Sequence, residues 1–151
     1  MKNQTLDDVF SEVDILFKSV KTSKIKVPSK VKNLFTDIKN YEDVCWYLGI
    51  KVLTVNDFKF LPKEQRLKQF SLHKIQNICK LFNGDWIPNW KDSSEKKWCP
   101  YYTNNGSSWS FADSFGYYVV SYCVAGFYKD QKTSDFCGKL FMQEYIDIIE
   151  N

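Results

Sequence analysis

Histidine is almost missing from this chain: His73 is the only one, and the cysteines at 45, 79, 99, 123 and 137 form no Cys-x-x-Cys pair. Zinc sites are built from closely spaced ligand pairs, so a structural zinc is not expected, and the cysteines read as small apolar residues of a reducing cytosol. There is no Gly-x-Ser-x-Gly, no Gly-x-x-x-x-Gly-Lys-Ser/Thr and no Gly-x-Gly-x-x-Gly, the patterns that shape a nucleophile elbow or cradle phosphates. His73 sits in a helical pattern between Leu72 and Lys74 with no catalytic motif around it, and reads as a surface or boundary residue. The acids Asp85, Asp92 and Glu95 match no calcium-loop spacing and read as a solvated turn. No catalytic residue, metal ligand or cofactor is assigned, and the chain reads as a non-enzyme. A secretory signal core and a run of about 18 apolar residues are both missing, so the protein is expected in the cytoplasm with no membrane partner.

What the sequence has in quantity is rings. Of its 151 residues 44% are apolar and 17% aromatic, which excludes a disordered chain and exceeds what one core of this size absorbs. One domain, residues 1–151, is expected, with some rings on a surface that binds something. The net charge of +3 is uneven. Residues 1–60 carry ten lysines against eight acids, 61–98 eight Lys/Arg against four acids, and 99–151 three against six, giving +2, +4 and −3. A basic middle suits nucleic acid or an acidic protein face, and equally a solvated helix face.

Local patterns order the chain as α+β. Leu6, Val9, Phe10, Val13, Leu16, Phe17 and Val20 recur at helical spacing behind a Thr5–Asp8 capping pair, predicting an N-terminal helix over 1–21. Residues 22–30 form a basic, proline-containing linker. A helical region follows over 31–82: a short helix through Leu34 and Ile38 capped by Ser29, a second over Tyr41–Leu48 closed by Gly49, and a long one after Pro62 ending at Asn83-Gly84. Between them, Ile50 to Val55 reads as a short strand or as packing in an irregular connection. Residues 83–128 make an aromatic loop and a small antiparallel sheet of three to four strands, at Trp98–Tyr102, Ser108–Phe111, Phe115–Val124 and Phe127–Tyr128, with turns at Asn104–Ser107, Ala112–Ser114 and Ala125-Gly126. A C-terminal helix over 132–150, capped by Thr133 or Ser134, packs on the sheet, and Gly138 marks a close approach to it.

Four of the five tryptophans fall within 83–128. Trp86, Trp90, Lys91, Lys96, Lys97, Trp98, Tyr101 and Tyr102 alternate rings with cations. Three readings suit that alternation: core packing, which claims at least Trp86 and Trp98; a protein interface anchored by Trp and Tyr; and single-stranded nucleic-acid binding, with rings on bases and lysines on phosphates. The candidate binding residues are Trp90, Lys91, Lys96, Lys97, Tyr101 and Tyr102.

The string Ile75-x-x-Ile78-x-x-x-Phe82-Asn83-x-x-Trp86-x-Pro88-x-Trp90, with Lys97-Trp98-x-Pro100-Tyr101, Ser121-Tyr122-x-Val124 and Phe136-x-Gly138-Lys139-x-Phe141, resembles small uncharacterised proteins of phages and prophages of Bacteroidetes over residues 60–151. Where that family has a Gly-Ser-Arg stretch before its last strand, this chain has Cys123-Val124-Ala125-Gly126, so a role of that arginine does not carry over. The resemblance implies a phage-encoded binder that inhibits host defence by occlusion, as anti-CRISPR proteins do. Its partner would be a host protein or ribonucleoprotein, a CRISPR effector nuclease among them. The alternative is a module of phage replication or packaging that binds RNA or single-stranded DNA, and a virion or scaffold component is a third possibility. The residues leave the oligomeric state open.

Overall fold

The structure, a computed structural model, describes residues 33–117 and 126–151. The N-terminal helix, the basic linker, the Ser29 cap and strand positions 118–124 fall outside the described residues. Within them the protein is α+β.

The helices start and stop where local chemistry tells them to. α1, Leu34–Asp37, opens on Asn33, whose Oδ1 accepts the Phe35 amide at 3.0 Å. α2, Tyr41–Leu48, has a reciprocal capping box between Asn40 and Asp43 and is closed by Gly49 at φ 58°, a left-handed conformation that costs glycine nothing. The connection that follows is irregular, with one 3-10 turn at Val55–Phe58. α3, Lys63–Asn83, begins directly after Pro62 and ends at Gly84. Its Ile75 and Ile78 are fully buried, each contributing about 2 to 3 kcal/mol relative to an exposed side chain.

The predicted C-terminal helix is two. α4, Gln131–Leu140, and α5, Met142–Glu150, meet at Phe141, whose backbone turns to φ −112° and ψ 30°. The Phe141 amide still donates to the Cys137 carbonyl at 2.9 Å, and its own carbonyl accepts from Glu144 at 3.2 Å. The bend therefore breaks the axis with little loss of hydrogen bonding. It lets α4 lie on the sheet while α5 runs along α3, where Ser71 Oγ donates to Asp147 and Lys74 pairs with Glu144 at 3.1 Å. The cap of α4 is Asp130, which accepts the Thr133 amide at 2.8 Å, rather than Thr133 or Ser134.

Among the described residues the sheet has two antiparallel strands, β1 (Lys97–Asn104) and β2 (Trp109–Tyr117), not three to four. The expected turn at Ala112–Ser114 does not form. Those residues lie inside β2, and the register slips between Tyr101 and Tyr102, leaving Ala112 as the extra residue of a bulge. Phe127–Tyr128 contributes a single bridge, with Trp98 and Tyr128 exchanging both backbone hydrogen bonds at 2.9 and 2.7 Å. Two residues along, Pro100 N faces that same outward edge, so its missing N–H costs the ladder nothing. The turn at Asn104–Ser107 does form: Asn105 Oδ1 accepts the amides of Ser107 and Ser108.

α4 crosses the hairpin at Gly138, where a Cβ would stand 2.7 Å from Phe111 and 2.8 Å from Pro100. Cysteine usage is mixed: Cys45, Cys79 and Cys137 are free thiols, whereas Cys99 is disulfide-bonded, which departs from the uniformly reduced expectation.

Candidate interaction face

The loop from Gly84 to Lys96 is organised by a carboxylate. Glu95 accepts the Trp86 indole N–H at 2.9 Å and the Asn89 amide at 2.7 Å, and pairs with Lys97 at 3.0 Å. Lys97 Nζ also donates to the carbonyls of Asp92 and Glu95 at 2.8 and 2.7 Å. These bonds hold the Glu95 carboxyl below its usual range, the Asn89 amide first and the Lys97 ammonium next. Asp92 is also held low, by the Ser94 hydroxyl and amide. Of the acids expected to be a solvated turn, Asp85 and Asp92 are exposed, whereas Glu95 is part-buried and frames the loop, its charge gathering the Trp86, Asn89 and Lys97 donors.

The bulge decides which rings face outward. Without it, the turn would pair Trp98 with Phe115 and place Phe115 on the core side. With it, Cys99 pairs with Phe115 and Tyr101 with Asp113, a slip of one residue that turns Phe115 over. Tyr101 and Phe115, 47% and 49% exposed, then meet edge to face with centroids 5.1 Å apart. At the other end of β1, Trp90 is 40% exposed, packs edge-on against Phe127 at 4.8 Å, and has Lys97 Nζ 5.6 Å from its ring. Lys97, Cys99 and Tyr101 lie to one side of the strand; that side is covered at Lys97 and Cys99 and open at Tyr101 and Phe115.

Of the six candidate residues, Trp90, Lys91 and Tyr101 are exposed. Lys97 is not: it is 0% exposed, because Asp92 and Glu95 supply every acceptor its ammonium uses. Tyr102 is likewise buried, its hydroxyl donating to the Gly138 carbonyl at 2.9 Å. Lys96 is half-buried, its ammonium 4.1 Å from the Trp98 ring centroid and its stem in the space left by Gly116. Phe115 was missed by sequence reasoning, because only the register gives its side.

A second surface feature is an open groove of about 680 Å³ between α3 and the loop, lined by Leu72, Cys79, Trp86, Ile87 and Phe127 among others. Burial pushes the Cys79 thiol up to about 12, so it stays protonated at neutral pH and is no nucleophile. Below it Tyr128 and Tyr145 share a buried hydroxyl contact of 2.9 Å. His73 Nε2 accepts from Asn77 Nδ2 at 3.0 Å, and burial lowers its pKa.

Among the described residues no group of three or more His, Cys, Asp or Glu is placed to hold a metal ion, and no helix is long and apolar enough to cross a membrane. Comparison of the chain with family models, curated proteins and solved structures returns no match.

Proposed function

We propose that this is a non-enzymatic binding protein that acts by occlusion, laying Trp90, Tyr101 and Phe115 against a partner protein or ribonucleoprotein. The Tyr101–Phe115 pair carries the reading. Two large rings, each about half exposed, are held edge to face on a stiff hairpin, where they bury little area in the core and suit the centre of an interface. Lys91 belongs to the polar rim, Lys97 is buried beneath Trp90 on the same side of the strand, and Tyr102 holds the hairpin from behind. The resemblance to small phage proteins supports a phage-encoded inhibitor working in the bacterial cytoplasm on a host defence complex, a guide-loaded CRISPR nuclease being the first to test.

The test mixes the protein with such a nuclease from a Bacteroidetes host and measures target cleavage, for the wild type and for the double variant Tyr101→Ser/Phe115→Ser. Inhibition at roughly one-to-one stoichiometry that weakens at least about tenfold in the folded double variant is the expected result. Equal inhibition by both proteins removes the face from the reading, and no inhibition by either removes the target.

Single-stranded nucleic acid is the second reading, favoured by Lys91 beside the exposed Trp90 ring. Fewer cations serve it than the sequence suggests, since Lys97 is buried and the Lys96 ammonium rests on Trp98. Oligonucleotide affinity that falls steeply with salt and depends on Tyr101 would put this reading first.

A further inference from the structure

We propose that the open end of the hairpin's outer face, formed by Tyr101, Phe115 and Asp113, is a seat for an arginine side chain of the partner protein. The inference rests on the reading of the Tyr101–Phe115 pair as an interface, and names the chemistry that the pair meets. Tyr101 pairs with Asp113 across the ladder, and Phe115 follows Asp113 two residues along β2, so the three side chains stand on one side of the sheet with Cβ atoms roughly 5 to 8 Å apart. All three residues are exposed. The rings meet at 85° with centroids 5.1 Å apart, which makes an aromatic corner with a carboxylate beside it.

Charge selects the occupant. From Cys99 to Tyr117 the chain has a single charged side chain, Asp113, although 26% of all its residues are charged. At the start of β1, Lys97 is buried and paired with Glu95 at 3.0 Å, and the Lys96 ammonium lies over Trp98, whose side chain is on the opposite side of the strand. The Asp113 carboxylate takes one bond from the protein, the Ser114 amide to Oδ1 at 2.8 Å, and has no ion pair among the described residues. This end of the hairpin therefore offers a partner two rings, whose negative faces attract cations, and one uncompensated negative charge. It has no cation for a phosphate. A guanidinium uses both attractions at once, because its plane stacks on a ring while its N–H fork reaches a carboxylate, a geometry that the compact lysine ammonium does not match. A nucleic-acid backbone would bring its own negative charge to Asp113, so the site suits a basic protein segment.

Titration of the full chain, followed by NMR of the Tyr101 and Phe115 rings, tests the site with four probes: acetyl-Gly-Arg-Gly-Arg-Gly-amide, the same peptide with citrulline for arginine, the same with lysine, and single-stranded oligothymidylate. Citrulline keeps the shape and loses the charge. Asp113→Asn keeps the oxygen that accepts the Ser114 amide and removes only the charge, and an unchanged amide spectrum verifies its fold. The expected result is that the arginine peptide moves both ring signals, binds at least about tenfold more tightly than the citrulline peptide and more tightly than the lysine peptide, and loses at least about threefold in Asp113→Asn. Ring signals that do not move overturn the proposal. So does a citrulline peptide that binds as tightly, which makes the corner a plain apolar contact, or an affinity that Asp113→Asn leaves unchanged. A lysine peptide that binds as tightly overturns the arginine assignment, and oligothymidylate moving the rings where the arginine peptide does not gives the face to nucleic acid. Arginine binding without inhibition of the nuclease keeps the site and removes that target. Inhibition lost in Tyr101→Ser/Phe115→Ser but intact in Asp113→Asn keeps the interface and overturns the arginine seat.

Discussion

The inner and outer faces of the hairpin are made of the same residue types, yet the protein treats them differently. Inside, Tyr102 lies 5.9 Å from Phe111 and 5.4 Å from Tyr145, its hydroxyl is given to Gly138, and Tyr128 and Tyr145 satisfy one another. Outside, Tyr101 and Phe115 form an equally close pair with about half of each ring in water. Ring pairing is common to both faces. What distinguishes the inner one is that Tyr102, Tyr128 and Tyr145 are buried, Phe111 is partly so, and every one of those hydroxyls has a protein partner, and those conditions turn an aromatic pair into a structural element.

Substitutions break the comparison unequally. Tyr128→Ala empties a fully buried site and strands the Tyr145 hydroxyl, and is expected to cost about 4 kcal/mol in chemical unfolding. Tyr101→Ala stays within roughly 0.5 kcal/mol. Equal costs would mean that the outer pair is part of the core.

The lysines offer the same contrast one step smaller. Lys97→Met keeps the stem and removes the ammonium from the Asp92 and Glu95 carbonyls and the Glu95 carboxylate. A loss of about 2 to 3 kcal/mol is expected, with faster exchange of the Asn89 amide. Lys91→Met, at an exposed position, is expected to leave stability unchanged within about 0.5 kcal/mol and to act only on binding. Gly138→Ala is smaller again. Helix propensity favours it by about 1 kcal/mol, but the new Cβ would press on Phe111 and Pro100 at 2.7 and 2.8 Å, which costs about 1 to 3 kcal/mol. A net destabilisation of about 1 kcal/mol follows, and a rise in melting temperature would show that α4 can lift off the sheet.

The elements that local chemistry decides were legible in the sequence. α2 follows from Tyr41–Leu48 and Gly49, α3 from Pro62 and Asn83-Gly84, and the hairpin turn from Asn104–Ser107. The approach at Gly138 was legible too, because a glycine inside an apolar helical stripe needs a reason. What was not legible depends on register and on partners. One extra residue at Ala112 turns Phe115 outward, and no propensity marks it. The burial of Lys97 depends on carbonyls that converge only once Glu95 has gathered the loop, so a lysine beside a tryptophan read as surface. Nor does any helix signal separate Leu140 from Met142; the bend at Phe141 exists because the sheet and α3 present different directions to the two halves.

The smallest expected effect is in pH, and it falls on the helical region rather than on the hairpin. His73 accepts from Asn77, which also donates to the Tyr41 hydroxyl at 2.8 Å, tying α3 to α2. Burial lowers the pKa of His73 from its ordinary 6.5, so in the window below 6.5 the unfolded chain takes up a proton that the folded one refuses. Stability is then full above pH 6.5 and declines as pH falls toward the lowered folded value. Asp37, Asp57, Asp92 and Glu95 are also held low, but their loss begins nearer pH 4, where unfolded carboxyls start to protonate. With one histidine in the chain, a decline in urea midpoint between pH 7 and pH 5 is assigned to His73 and disappears in His73→Gln. Its persistence in that variant would move the titration elsewhere. Near-ultraviolet and exchange signals from α2 should follow the same midpoint while those of the Tyr101–Phe115 pair do not, since no group facing that pair changes charge over this range.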